Sequence, residues 1–87
     1  MRPLNYAILK YFTEVEEASA DDVLMALKSE YSGFSAFTHD KVQEALMTAE
    51  KNGLVGESRV DLDDNNELRV FYAADSEQRD TINSYIK

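Results

Sequence analysis

The side chains that most often carry catalysis or bind metals are scarce in this 87-residue chain. It has one histidine, His39, and no cysteine, so neither a thiolate zinc site nor a histidine-rich metal centre can be built from it. No glycine-rich phosphate loop occurs, and the carboxylates have simpler explanations as helix caps or surface charges. We therefore expect no enzyme activity, no metal site and no cofactor.

One short segment partly matches a calcium-binding loop. Asp61, Asp63 and Asn65 occupy the first three ligand positions of such a loop. The loop also needs a glycine and a closing glutamate, but Asn66 and Tyr72 stand at those positions. The pattern excludes an EF-hand and leaves at most weak cation binding by an acidic turn.

The elements that would position any functional residue begin with two helices. From Leu4 to Val15, apolar residues recur every three or four positions, which is typical of one helix face. Ser19 and Asp22 then have the spacing of a capping box, with aspartate in place of the usual glutamate. A second helix is predicted from there to Tyr31.

A third helix and a hairpin follow. Thr38 is predicted to cap the helix, and Asn52-Gly53 to end it, because glycine readily takes the left-handed conformation. The partial alternation of Leu54–Leu62 indicates a strand, and Leu68–Tyr72 indicates a second. Between them, Asp63–Asn66 has the composition of a hairpin turn.

A fourth helix closes the chain. Asp75 or Ser76 is predicted to cap it, and Ile82, Tyr85 and Ile86 would form a weak apolar edge. The length of the chain fits one hydrophobic core, so residues 1–87 are interpreted as a single domain. No apolar run approaches the roughly 20 residues of a membrane-spanning helix. Because the first residues also lack the apolar stretch of a secretory signal, we expect a cytoplasmic protein without a membrane partner.

This order of elements resembles the winged-helix family over nearly the whole chain. The most specific segment, Val42 to Val55, is similar to the recognition helix and first wing strand of PadR-like and MarR-like bacterial regulators. Val70-Phe71-Tyr72, followed by a polar cap and a helix, is similar to the end of the wing and the dimerisation helix of the PadR type. The resemblance implies an α+β winged helix: a three-helix bundle, a two-stranded antiparallel wing hairpin and a C-terminal helix.

The resemblance also implies a function, because most members of these families are transcriptional regulators that bind DNA as dimers. The third helix would enter a major groove and the hairpin would contact the backbone. Glutamine pairs well with adenine, and lysine with guanine or phosphate. The predicted DNA-contacting residues are Thr38, His39, Lys41, Gln43, Thr48, Arg59 and Arg69.

The same residues have structural alternatives. Rotation about the helix axis places Asp40, Glu44, Met47 and Lys51 furthest from the core, so two acids stand where phosphates would lie. The helix residues could therefore form an ordinary solvated face. Likewise, the two wing arginines could pair with acidic residues across the strands.

Charge favours a second hypothesis. The net charge is −8, whereas proteins held by phosphate contacts usually carry a basic footprint. The predicted hairpin concentrates four acids, Asp61, Asp63, Asp64 and Glu67. The alternative to a DNA-binding regulator is therefore an acidic winged-helix module that binds a basic protein surface and does not bind DNA.

Apolar residues outside the predicted core stripes suggest where a homodimer or another protein partner would bind. Tyr6 and Leu9 lie off the stripe of the first helix. Together with the apolar edge of the last helix they could form a dimer contact, or they could pack against that helix within one chain. The residues of this predicted contact are Tyr6, Leu9, Ile82, Tyr85 and Ile86.

Overall fold

The computed structural model describes residues 1–87 as an α+β fold of four helices and one antiparallel hairpin. This confirms the predicted α+β class and the predicted order of helices and strands. None of the helices is long and apolar enough to cross a membrane. In chain order the elements are α1 (Leu4–Tyr11), α2 (Ala20–Tyr31), α3 (His39–Lys51), β1 (Gly56–Leu62), β2 (Leu68–Ala73) and α4 (Ser76–Tyr85).

The first helix is shorter than its apolar stripe predicts: α1 ends at Tyr11 and does not continue to Val15. After it the backbone tightens, and the amide of Thr13 donates to the carbonyl of Lys10, three residues back. The Thr13 hydroxyl donates to the same carbonyl. Phe12 and Val15 still pack against the core from this turn, which explains why the apolar spacing continues beyond the helix.

The segment between α1 and α2 is tied to the hairpin. Ala18 and Tyr72 form an isolated antiparallel bridge in which each backbone N–H donates to the carbonyl of the other at 2.9 Å. As a result β2 has a hydrogen-bonded neighbour on both sides, with β1 along one edge and Ala18 on the other. The sequence did not predict this bridge, because a single paired residue leaves no alternating pattern.

The predicted helix caps are confirmed. The Ser19 hydroxyl accepts a hydrogen bond from the Asp22 amide at 3.3 Å, and the Asp22 carboxylate accepts one from the Ser19 amide at 2.9 Å. Thr38 accepts from the Lys41 amide at 3.3 Å. Gly53 ends α3 with φ of 77°, a conformation that favours glycine. The sequence therefore located both ends of α3.

The hairpin is confirmed with one change of boundary. β1 begins at Gly56 rather than Leu54, because pairing with β2 starts at Gly56 opposite Ala73; Val55, just before it, is buried in the core. At the other end, the Asp63 carboxylate accepts hydrogen bonds from two amides of the turn. Asn66 adopts φ of 66°, as the composition of this turn predicts.

The last helix closes the fold against α1. Asp75 caps α4, as predicted, and forms a capping box with Gln78. Ile82 and Ile86 are buried in the core of their own chain. The Lys10 ammonium donates to the Asn83 side chain and to the Ile86 carbonyl. Its apolar residues and its polar contacts therefore both hold α4 within the domain.

A single cluster of sixteen buried residues forms the core where the helices meet the base of the hairpin. No buried side-chain nitrogen or oxygen lacks a hydrogen-bond partner; the Tyr31 hydroxyl, for example, donates to the Arg2 carbonyl. Stability therefore rests on packed apolar side chains. The largest fully buried members are Tyr31, Phe12, Leu46, Ile82, Val23, Val42 and Val55.

We expect Leu46→Ala to lower the free energy of unfolding by about 2–5 kcal/mol, because it leaves a cavity at a fully buried position. The matched control is Met47→Ala at the next residue, which is 49% exposed and should change stability by less than about 1 kcal/mol. Urea denaturation followed by circular dichroism measures both. Equal losses for the two variants would contradict the assigned face of α3.

Candidate interaction surfaces

Two of the residues predicted to contact DNA already have structural roles on α3. The Thr38 hydroxyl is the helix cap and accepts from the Lys41 amide. The Gln43 side chain donates to the Tyr72 hydroxyl at 3.0 Å, which connects α3 to β2. Burial raises the pKa of the Tyr72 hydroxyl, and this hydrogen bond partly opposes the rise. Both side chains thus contribute to the architecture.

The other predicted residues of α3 lie on an exposed surface of mixed charge. Lys41 and Thr48 are exposed, and neither side chain forms an intramolecular hydrogen bond or ion pair. The His39 ring lies 3.6 Å from the carboxylates of Asp21 and Asp40. The four residues expected to lie furthest from the core are indeed exposed: Asp40, Glu44, Met47 and Lys51. This face therefore carries acids as well as lysines, so its positive charge is not concentrated in one patch.

The two hairpin arginines bind carboxylates. Arg69 on β2 forms two hydrogen bonds, at 2.9 and 3.1 Å, with Asp61 on the opposite strand. Arg59 donates to the same aspartate at 3.1 Å and to Glu17 at 2.8 Å. The cross-strand pairing considered from the sequence is confirmed for Arg69. No local pattern predicts the contact between Arg59 and Glu17, which precedes α2.

An aromatic ring completes this cluster. The guanidinium carbons of Arg59 and Arg69 lie 3.8 and 5.3 Å from the centre of the Phe71 ring, within the range of a cation–π interaction. These residues alternate along paired strands and their side chains touch, so they share one side of the hairpin. We call Arg59, Asp61, Arg69 and Phe71 the arginine face.

The remaining arginines also have internal partners. Arg79 donates to the carbonyls of Ala74 and Val15 at 2.9 Å, and Arg2 donates to the carbonyl of Lys87. All four arginines are therefore engaged within the chain. The basic side chains that have no such contact are the lysines Lys28, Lys41, Lys51 and Lys87.

The opposite side of the hairpin is apolar and largely exposed. Cross-strand pairs join Val60 to Val70 and Leu62 to Leu68. Val60, Leu62 and Leu68 are 50%, 55% and 75% exposed, while Val70 packs partly against the core. We call these four residues the aliphatic face. Its outer end lies beside the turn acids Asp63, Asp64 and Glu67.

The amino-acid sequence alone does not predict the aliphatic face as a candidate site. The first strand shows a partial alternation of apolar and polar residues, but alternation shows only that one side of a strand is apolar. It does not show how far the helices extend beneath that side. In the structure the helical core reaches Tyr72 and partly Val70, and the more distal pairs lie beyond it.

The predicted dimer contact is not one continuous surface. Ile82 and Ile86 are 1% and 4% exposed, so their side chains offer no surface to a partner. Tyr6 and Tyr85 are exposed. Leu9 is partly buried and lines an open groove of about 380 Å³ between α1 and α3. Packing of the C-terminal helix within the chain, the alternative considered from the sequence, therefore accounts for both isoleucines.

Two of the residues predicted to contact DNA also line this groove. Its apolar floor includes Ile8, Ala45 and Leu54 beside Leu9. Lys41 and Thr48 lie along its polar rim. These two side chains consequently flank α1 as well as the exposed face of α3.

No model of a known protein family matches the chain, and no curated protein is significantly similar to it.

The ion pairs of the hairpin predict an acid-sensitive component of stability. Hydrogen bonds from Ser58 and Arg59 lower the pKa of Glu17 below its ordinary 4.5, and the hydrogen bond from Arg69 is the largest cause that lowers the pKa of Asp61 below 3.8. A carboxylate whose pKa is lower in the folded than in the unfolded protein stabilises the fold at pH values above its ordinary, unfolded-state pKa. That contribution is lost as the pH falls through the folded-state pKa.

We therefore expect Glu17→Gln to lower stability at neutral pH and to reduce the loss of stability between about pH 5 and pH 2. Urea unfolding at a series of pH values measures both effects. Glu16→Gln is the matched control, because Glu16 is exposed and has no ion-pair partner. A pH profile that is the same for wild type and Glu17→Gln would show that the ion pair does not stabilise the fold.

Proposed function

We propose that this chain is a winged-helix domain that binds a protein partner through an acidic, partly aliphatic wing. The order of the elements, three helices followed by a hairpin and a closing helix, supports the winged-helix assignment. In this assignment α3 occupies the place of the recognition helix and the β1–β2 hairpin is the wing. Both elements are anchored to the core, Gln43 on α3 through Tyr72 and β2 through Ala18.

The observation that carries the proposal is the composition of the wing surface. Its two arginines are held by Asp61 and Glu17, so their charge is already balanced within the chain. Around the turn the acids have no cationic partner: Asp63, Asp64 and Glu67 form no ion pair. Such a wing repels phosphates rather than attracting them.

A protein partner fits the same surface. Exposed aliphatic residues next to a charged rim are typical of protein interfaces, in which apolar contact supplies affinity and complementary charge supplies specificity. The aliphatic face provides the apolar part, and the turn acids provide the rim. The partner surface would be basic, in agreement with the overall charge of −8.

A DNA-binding regulator is the second candidate. It is favoured by the exposed cations of α3, where Lys41 and Lys51 have no intramolecular partner and Thr48 is exposed beside them. In this role α3 would lie in a major groove, and the lysines would contact phosphates or guanine. The wing would then have to avoid the backbone because of its acids.

Titration of a fluorescently labelled random duplex distinguishes the two candidates. We expect no binding from low to physiological salt, because the exposed surface lacks the basic footprint that phosphate contacts require. Fluorescence anisotropy is the measurement. Binding that weakens steeply with salt and is reduced by Lys41→Ala would instead assign the domain to DNA. Lys28→Ala on α2 is the matched control, since it removes the same charge from another helix.

A further inference from the structure

We infer that the outer edge of β1 binds an extended segment of a basic protein partner as an added strand. This inference rests on the proposed function, and it specifies the part of the wing that is used and the conformation of the bound segment. The strand order leaves one edge open: β2 lies between Ala18 and β1, whereas β1 has only β2 beside it. Backbone groups along such an edge can pair with another chain.

The regular part of this edge is short. A bulge interrupts the pairing of β1 between Glu57 and Arg59, and regular pairing continues from Arg59 to Leu62. A bound segment of about four to six residues would match this length, because strands rise about 3.3 Å per residue. The helices make few contacts with the distal hairpin, so they leave this edge accessible.

The side chains of β1 define what the bound segment must offer. Val60 and Leu62 lie on the edge strand itself, are about half exposed and point to the aliphatic face. An added strand would place its own alternate side chains about 5 Å from them. Aliphatic residues at alternate positions of the added strand would extend the aliphatic face across a third strand and cover Val60 and Leu62.

Charge selects the two ends of the bound segment. Glu57 lies near the base of β1, and Asp63 and Asp64 lie at its tip, so both ends of the edge are negative. Lysine or arginine at the ends of the bound segment would meet these acids, whereas central side chains on the side opposite the aliphatic face would lie beside Arg59 and Asp61, whose charges are already paired. A second copy of this chain is a poorer occupant, because antiparallel pairing of two β1 strands would bring Glu57 of each copy beside the tip acids of the other.

The probe is a synthetic six-residue peptide in which lysine and valine alternate, titrated into the uniformly ¹⁵N-labelled chain. We expect the largest amide shifts between residues 57 and 62. A peptide of the same composition with three lysines followed by three valines, and an N-methylated version of the alternating peptide, should bind at least about tenfold more weakly. The first control disrupts the alternation and the second removes backbone donors.

A pair of protein variants tests the aliphatic contact. Leu62→Ser should weaken binding of the alternating peptide about tenfold, since it removes apolar area that the added strand would cover. The control is Met25→Ser on α2, at a residue that is 69% exposed, and it should leave binding unchanged. Preserved amide shifts across β1 and β2 in Leu62→Ser would show that the hairpin itself remains formed.

Three outcomes would overturn the inference: no binding of the alternating peptide, equal binding of the block peptide, or shifts confined to α3. Self-association through β1 would overturn it too, because a second copy would then be the occupant. Peptide binding elsewhere on the hairpin, with amide shifts on β2 and the turn rather than along β1 and without duplex binding, would leave the proposed function in place and reject only the added strand at the β1 edge. Salt-sensitive duplex binding reduced by Lys41→Ala would reject the proposed function itself.

Discussion

The position of the hairpin depends on two backbone hydrogen bonds between Ala18 and Tyr72. They hold β2 against the segment that joins α1 to α2, and the Tyr72 hydroxyl accepts from Gln43 on α3. Tyr72 therefore connects the hairpin to two separate parts of the helical body. Because Tyr72 itself is buried, these hydrogen bonds are shielded from water. Loss of either partner would leave a buried polar group unsatisfied, at a cost of about 1–3 kcal/mol.

This attachment gives the two sides of the hairpin different environments. On the arginine face, Glu17 lies just before the Ala18 bridge and is thereby brought to Arg59. The arginines are thus neutralised close to the body of the domain. On the other side the aliphatic pairs continue past the end of the core, where no helix covers them. The attachment at Ala18 and Tyr72 therefore explains both why the hairpin arginines present no unpaired positive charge and why its aliphatic side chains are exposed.

Local signals made much of the fold predictable from the sequence. The capping pair at Ser19 and Asp22, the cap at Thr38 and the stop at Gly53 each act within a few residues, and each was located correctly. The end of α1 was predicted too late, because Val15 keeps the apolar spacing of the helix although it packs from a turn. The boundary depended on tertiary packing rather than on periodicity.

The candidate site was harder to predict, because its properties depend on pairs distant in sequence. The sequence indicates two alternative roles for Arg59, but its partner Glu17 is 42 residues away. Similarly, periodicity identified Ile82 and Ile86 as apolar without showing that their own chain buries them. Exposure of the aliphatic face depends on where the helices end in space, which no local pattern encodes.

The contacts at the two ends of the chain have a further consequence. Arg2 donates two hydrogen bonds to the carbonyl of Lys87, and Lys10 donates to that of Ile86, so residues 2 and 87 are neighbours in space. A short glycine-rich linker could join them without disturbing the core, and the exposed turn at Asn65 could be cut to create new ends. The architecture is thus compatible with circular permutation, in which the hairpin strands would become the terminal segments.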